Sequence, residues 1–473
     1  MMLLLIFVPL FVGLCCLITG RGFRFVPFVA YLLSFVISVL VLVSGYVQEL
    51  QLVESFGVSL LLDPAAAWFV LLNAVVCLGV AWHERYRSRH HYFFVLLVLL
   101  HGCINACFIS TDLFNLYVVI ELTTIIAFLL ISQGMTTRHL WNALRYIFLS
   151  NVGMLFYLLG VLMVYQVSGD FSYAGVVEAP PTARALIVVG LLVKGGVFIP
   201  GLWLPQAHSE ADAAVSALLS GIVVNIGLLP LIRLEAFSPD MEVVLRVVGF
   251  GGIFAGLGLA LFQRDIKRLL ACSTISQVGF VLISPVAGPL YAFAHGVAKA
   301  ALFLCAGNLP ERDLMKLKQT RVEWSLAWPM RIAALSISGC PLLMGYTAKY
   351  AAGAAFSGWA QWLILTASVG TAVILTPIIF ISSSRGEAKR MLGWQAPVLM
   401  GCALLVTGIF FGPYKWEALL KSVAILLLGW ILHRVLLYRL IQVSLPSGWE
   451  KLEHVVGMIC ITTVLLILGV YAL

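Results

Sequence analysis

The feature that most constrains this chain is a succession of apolar runs, each long enough to cross a hydrocarbon layer and separated by stretches too short to fold alone. A bilayer core about 30 Å thick takes about 20 residues of helix. Runs of that kind fall near 1–19, 26–46, 63–82, 92–110, 113–132, 142–166, 184–204, 213–233, 242–262, 267–286, 290–309, 326–349, 358–384, 393–411, 416–439 and 453–473, which makes about sixteen spans. Lipid offers no partner to backbone N–H and C=O groups, so segments of this length must bond internally as helices. The expected fold is therefore an all-α polytopic membrane protein. Composition agrees, with 62% of the residues hydrophobic, 11% charged and a mean hydropathy of +1.05; a soluble domain is about one quarter charged. The first run, Met1–Thr19, lacks a basic n-region and an A-x-A cleavage site. It is expected to be a retained span rather than a signal peptide.

A formal charge of +8 would suggest a nucleic-acid partner in a soluble protein. Here the basic residues follow the membrane instead, and no nucleic acid is expected. Taken alternately, one set of connections holds Arg21/Arg24, Arg85/Arg87/Arg89, Arg138, Arg264/Lys267/Arg268, Arg312/Lys316/Lys318/Arg321, Arg385/Lys389/Arg390 and Arg434/Arg439/Lys451, whereas the other holds little beyond Arg184 and Lys415. By the positive-inside rule the first set is cytoplasmic. That orientation puts both termini on the outer face of a cell inner (plasma) membrane. The stretch Val47–Leu62 is too polar to span and alternates like a short outer hairpin.

Ten cysteines are scattered, mostly inside apolar runs, for example Cys77, Cys103, Cys107, Cys272 and Cys305, without CxxC or Cys/His spacing. Buried free cysteine behaves as a small hydrophobe, so no disulfide framework, metal site or iron–sulfur cluster is expected. No phosphate loop, flavin fingerprint or activated nucleophile occurs either. The chain is expected to carry no cofactor, and any redox or hydrogenase chemistry would belong to partners.

Once loop charges are set aside, the ionisable residues at depth are Glu121, Arg145, Lys194, His295, Lys299 and Lys349. An ammonium at bilayer depth costs about 2.5 to 3.5 kcal/mol on insertion scales, so its default reading is functional. Lys194 precedes Gly195, Gly196 and Pro200, and Lys349 follows Gly339, Pro341 and Gly345. Pro200 is expected to kink the helix beside Lys194. The alternative for Lys194 is that it snorkels to an interface. His295 and Lys299 stand at i and i+4 on one helical face, a pair suited to passing a proton; a structural, hydrogen-bonded histidine is the alternative. Glu121 has Lys194 as its nearest candidate partner if spans five and seven pack together. Arg145 reads either as a snorkelling anchor or as a modulator of Glu121. The spans of Lys194 and Lys349 are five apart and so run in opposite directions, as an inverted-topology repeat requires.

The runs KGGVFIPGLWLPQAHSEADAAVSALLSG, RDIKRLLACSTISQVGFV, HGVAKAALFLCAG and TDLFNLYVVIEL resemble the antiporter-like subunits shared by complex I, membrane-bound hydrogenases and Mrp-type Na+/H+ antiporters. DLFNLY with Glu121, and LPQAHSEA after Lys194, are most similar to the Mrp D-type subunit. The resemblance covers about residues 55 to 412. It implies about fourteen core helices with two inverted five-helix repeats, each containing a broken helix; residues 413–473 exceed that core and are expected to add about two C-terminal helices. On that reading the chain divides into N-terminal helices (1–110), a first repeat (92–233), a second repeat (242–384) and C-terminal helices (393–473). The resemblance also implies a lateral proton path through Glu121, Lys194, His295, Lys299 and Lys349. It departs at Asn225, where the family usually has a lysine; an amide can relay a proton through water but cannot store one.

The expected function is that of a proton-translocating membrane subunit in a multi-subunit complex, an Mrp-type cation/proton antiporter or a related respiratory or hydrogenase complex. Its partners would be other membrane subunits, protons, the bilayer and, in the Mrp case, Na+. The rival expectation is a structural membrane-arm subunit whose relay Asn225 impairs.

Overall fold

Helix ends in this chain are fixed by residues that satisfy the orphan groups of the first and last turns. Asp63 accepts from Ala66 N at 2.7 Å and opens one helix, Asp112 accepts from Asn115 N at 2.5 Å and opens another, and Asp265 accepts from Arg268 N at 3.0 Å. Such caps contribute about 1 kcal/mol each. A computed structural model of the chain describes all residues except 21–24, 53–57, 88, 238, 385–391, 438–450 and 473. Arg21, Arg24, Arg385, Lys389, Arg390 and Arg439, counted above among the cytoplasmic charges, lie outside the described residues.

The helices are α1 (Met2–Thr19), α2 (Pro27–Ser44), α3 (Pro64–Glu84), α4 (His91–Ile109), α5 (Leu113–Ser132), α6 (Thr137–Ser168), α7 (Pro181–Gly195), α8 (Leu204–Glu210), α9 (Ala213–Leu218), α10 (Asn225–Phe237), α11 (Pro239–Leu261), α12 (Ile266–Leu282), α13 (Gly288–Ala306), α14 (Trp324–Ser338), α15 (Met344–Ala354), α16 (Trp359–Ile379), α17 (Gln395–Phe411), α18 (Trp416–Leu432) and α19 (Leu452–Ala472). Every apolar run read from the sequence carries a helix or a pair of half-helices. Among the described residues 13 helical stretches are long and apolar enough to cross a membrane. The other runs are shorter in structure: α12 and α17 have 17 residues each, and the run at 326–349 is divided between α14 and α15. The expected hairpin is present, with β1 (Gln48–Gln51) antiparallel to β2 (Ser59–Leu62) and Gln48 opposite Leu62. Arg233 of α10 ties it down by donating to Ser110 O at 2.9 Å and Leu61 O at 3.4 Å.

Two helices break. α7 ends at Gly196, whose φ of +62° is left-handed, and Phe198 follows with a φ of +54° before a 3-10 turn at Ile199–Trp203 leads into α8. α14 ends at Gly339 with a φ of +89°, and Leu342 follows at +70° before α15. A left-handed residue costs an L side chain roughly 1–2 kcal/mol, which is why glycine stands at both helix ends. The expectation that Pro200 kinks a continuous helix is corrected here. The helix has already stopped at Gly196, and Pro200 sits in the 3-10 turn beyond it.

Burial is greatest at the centre of the chain. The apolar window of Ala213–Phe237 is 100% buried and that of α13 is 94% buried, whereas those of α1 and α18 are 28% and 17% buried. α13 packs against α3, α9, α12, α14, α15 and α17, so His295 and Lys299 lie on the most enclosed helix. The two last helices part company: α18 packs on α16, while α19 packs on α7, the 3-10 turn of the first break and α6.

Candidate functional site

Lys194 lies in the last turn of α7, where the helix dipole favours a cation. Its side chain is 2% exposed, and the ammonium donates to Thr124 Oγ1 of α5 and Ser150 Oγ of α6. The face of Tyr146 lies 5.7 Å from the same ammonium. Lys194 therefore does not snorkel; it is held inside by two hydroxyls and a ring.

Glu121 lies three residues before Thr124 on α5, so the carboxylate and Lys194's acceptor share one face. It is half-buried, and with the Asn151 amide turned so that both its ends are satisfied, Asn151 donates to Glu121 Oε2 at 3.2 Å and to Ile147 O at 3.1 Å. The other oxygen, Oε1, has no hydrogen-bond partner among the described residues. Glu121 and Lys194 feel each other's charge, yet no ion pair joins them. α6 packs against both α5 and α7, supplying Ser150 and Asn151 to the two groups. Arg145, also on α6, donates to Gln206 Oε1 at 2.5 Å, a bond that ties it to α8 rather than to Glu121.

Asn225 stands at the start of α10, a helix that packs on α7, just after a π turn at Leu219–Val223. Its amide donates to Gly221 O at 2.7 Å, and its Oδ1 is buried without a partner among the described residues. A π turn widens the helix and leaves backbone groups off the regular ladder, a distortion found at functional positions. Ser220 in that turn bonds Thr274 Oγ1 at 2.7 Å. One residue before Thr274, Ser273 accepts from Lys299 Nζ at 2.8 Å, and Leu270 O accepts from the same ammonium at 2.7 Å. Lys299 is 0% exposed. One turn earlier on α13, His295 is 2% exposed, and both its ring nitrogens lack partners among the described residues.

Tyr291, one further turn away, donates to Gln277 Oε1 at 2.8 Å, and the Gln277 amide lies 3.5 Å from Thr371 Oγ1. Tyr291 stacks on Phe280 at 5.4 Å, and Lys349 Nζ lies 5.5 Å from the same Phe280 ring. Lys349 Nζ has no hydrogen-bond partner among the described residues. The Lys349 side chain lines a cavity of about 300 Å³ between α15, α16 and α18, whose lining also includes Gln361, Lys415, Glu417 and Lys421.

The structure thus sets Glu121 of α5 and Lys194 of α7 on either side of α6, ties Arg145 of α6 to α8 instead, puts His295 and Lys299 on one face of α13, and leaves Lys349 beyond an aromatic pair. Several buried polar groups escaped the sequence reading. His208 of α8 is 0% exposed, stacks on Phe303 at 4.6 Å and leaves both ring nitrogens unpartnered among the described residues. Lys267, counted above as a loop charge, is instead buried on α12 with its ammonium 2.7 Å from Ala211 O. Glu84 is fully buried at the end of α3, bound by Arg89 at 2.5 Å, and Arg89 also reaches Asp212 at 2.7 Å. The i, i+3 spacing of Glu121 and Thr124 was a usable signal; the others depended on tertiary packing. Among the described residues no cluster of histidine, cysteine or carboxylate side chains could hold a metal ion.

Comparison with known proteins fits this geometry. The family described as NADH:quinone oxidoreductase/Mrp antiporter, TM, matches residues 110–375, more than half of the 473 in the chain. The D-type Na(+)/H(+) antiporter subunit of Alkalihalophilus pseudofirmus is 31% identical over 374 residues, covering 71% of this chain and 75% of that protein. The N-type NADH-quinone oxidoreductase subunit of Desulforudis audaxviator is 29% identical over 364 residues, covering 69% and 70%. Among solved structures, a chain of the Mrp complex from Dietzia sp. superposes with a TM-score of 0.77 at 19% identity, covering 96% of this chain and 99% of that one. A chain of the archaeal membrane-bound sulfane sulfur reductase gives 0.77 at 22% identity, covering 97% and 99%. At such identities the structures speak for a shared fold. The family match and the Alkalihalophilus antiporter relative together show that the chain belongs to the transmembrane NADH:quinone oxidoreductase/Mrp antiporter family.

Proposed function

We propose that this chain is the proton-translocating, antiporter-like subunit of a hetero-oligomeric complex in the plasma membrane, with both termini on the outer face. Protons pass laterally between the Glu121–Lys194 pair and Lys349 by way of Lys299 and His295. The observation that carries this reading is the line of buried cations at helix breaks and on the central helix. Three lysines, Lys194, Lys299 and Lys349, each hold an ammonium among apolar helices, at roughly 8 to 10 kcal/mol together on insertion scales. That is the size of a whole domain's stability, and a role in packing alone would favour leucine or methionine. Unpartnered polar atoms at Glu121, Asn225, His295 and Lys349 support the same reading, since buried polar groups of this kind are ordinarily satisfied by ordered water, and water between them carries protons.

The separated arrangement of Glu121 and Lys194 is one of two states. In the other the two form an ion pair, releasing Thr124 and Ser150. Moving one charge through 100 mV is worth about 2.3 kcal/mol, enough to reset such an equilibrium. The stretches 92–233 and 242–384 act as inverted repeats, each with one broken helix beside its lysine. The relatives supply the partners: other membrane subunits, as in Mrp or NADH-quinone oxidoreductase complexes, with Na+ as the counter-ion in the Mrp case. Flux across inverted vesicles tests this. Lys194→Ala or Glu121→Ala should abolish it while the complex still assembles, and unchanged flux would refute the relay.

One observation favours a second reading, a structural membrane-arm subunit with a weakened relay. Asn225 is a buried amide that cannot hold a proton, at the position where the family usually has a lysine. Flux raised by Asn225→Lys, with assembly unchanged, would identify the chain as such.

A further inference from the structure

A groove of about 990 Å³ runs along the cytoplasmic half of α6, between that helix, α8, the start of α12 and Leu452 of α19. Arg138, Arg145 and Arg268 line it, against one acid, Glu210. Below Arg138 the groove is mostly apolar, with exposed Trp141, Leu144, Phe148 and Leu155 recurring at helical spacing on one side of α6. From Arg138 to Leu155 the helix rises about 25 Å, close to the depth of a single leaflet with its headgroup. Arg138 and Arg268 therefore stand at headgroup level and the apolar strip at acyl level. A neighbouring helix would meet this charge only if it were acidic at that level, whereas a phosphodiester brings the matching charge and an acyl chain the matching strip.

We propose that this groove holds one anionic diacyl phospholipid of the cytoplasmic leaflet, its phosphate between Arg138 and Arg268 and one acyl chain along α6. The inference rests on the cytoplasmic placement of Arg138 and Arg268 and not on the proton relay. Bound there, the lipid covers the flank of α6 that carries Asn151, the residue that contacts Glu121.

The test uses the assembled complex in detergent, offered phosphatidylglycerol or phosphatidylcholine and read by native mass spectrometry. Wild type should retain phosphatidylglycerol preferentially. Arg138→Gln and Arg268→Gln should each lower that preference about five-fold, while Arg138→Lys leaves most of it. A second arm removes no arginine: benzoylphenylalanine placed at Phe148 and irradiated in native membranes should form a phospholipid adduct. Equal retention of the two lipids by wild type, or an adduct at Phe148 with a neighbouring subunit, overturns the proposal. Neither readout involves ion flux, so the proposal and the relay stand or fall separately.

Discussion

Lys349 folds back over Gly339, the left-handed residue that ends the preceding half-helix: a Cβ at Gly339 would stand 3.1 Å from Lys349 Cδ. Lys194 lies two residues before its own left-handed glycine, Gly196. In both broken helices the cation is set beside the carbonyl end of the first half, although one lysine precedes the break and the other follows it. A Cβ at Gly339 would both strain a φ of +89° and push the lysine stem. Gly339→Ala is expected to destabilise the chain by about 1–2 kcal/mol and to lower flux, with Gly339→Asn milder because asparagine tolerates this conformation. Thermal melts of the complex beside vesicle flux measure both effects.

The hydroxyls around Lys194 give a second expectation. Thr124→Val keeps shape but removes one acceptor from a buried ammonium, and an unsatisfied charged group costs about 1–3 kcal/mol or more. Flux should fall about ten-fold or more, with Thr124→Ser restoring it. The same flux from Thr124→Val as from wild type would mean that Thr124 holds nothing that matters to Lys194.

Just past the C-terminal end of α3, burial works against the charged form of Arg89, but Glu84 and Asp212 outweigh it and hold the guanidinium above its usual range. Glu84 is 0% exposed. Arg89→Gln would leave that carboxylate without its closest partner, and loss of one member of a buried pair costs roughly 3–5 kcal/mol. The variant should assemble poorly, and Glu84→Gln in the same chain should recover much of the loss. A double-mutant cycle read by melting temperature decides.

Asp112 caps α5, the helix that carries Glu121. Partial burial raises its carboxyl above the ordinary aspartate range, opposed by backbone hydrogen bonds from Asn115 and Phe114. A raised folded value means that the group favours the folded state most below the unfolded aspartate value near 3.8. That contribution is lost as pH rises through the folded value. Asp112→Asn keeps the cap without the charge, so at neutral pH it should be neutral or mildly stabilising. Asp112→Ala should cost about 1 kcal/mol. Chemical denaturation at pH 4 and pH 7 compares the two.

Topology has its own test. Met135, in the turn between α5 and α6, and Val286, between α12 and α13, are 89% and 96% exposed. In a background without Cys402 and Cys460, Met135→Cys should react with an impermeant maleimide only from the cytoplasmic side and Val286→Cys only from outside. Labelling from the same side would overturn the orientation.

Span positions were legible in the sequence because hydropathy is a local property and lipid forbids any answer but helix. Lys194, Lys299 and Lys349 were legible for the same reason, as isolated charges on apolar runs. What surrounds them was not. That Lys194 meets Ser150, that His208 lies against Phe303, and that Lys267 turns inward to Ala211 depend on which faces of distant helices meet. The break beside Lys194 is foreshadowed by Pro200, but its cause lies at Gly196, since a proline advertises itself and the φ of a glycine does not. The π turn at Leu219–Val223 leaves no mark in composition at all.

The last two described helices rest on different elements: α18 on α16, and α19 on α7 and the turn that follows Gly196. The last helix thereby covers the first break, so that displacing α7 against that turn must also displace α19.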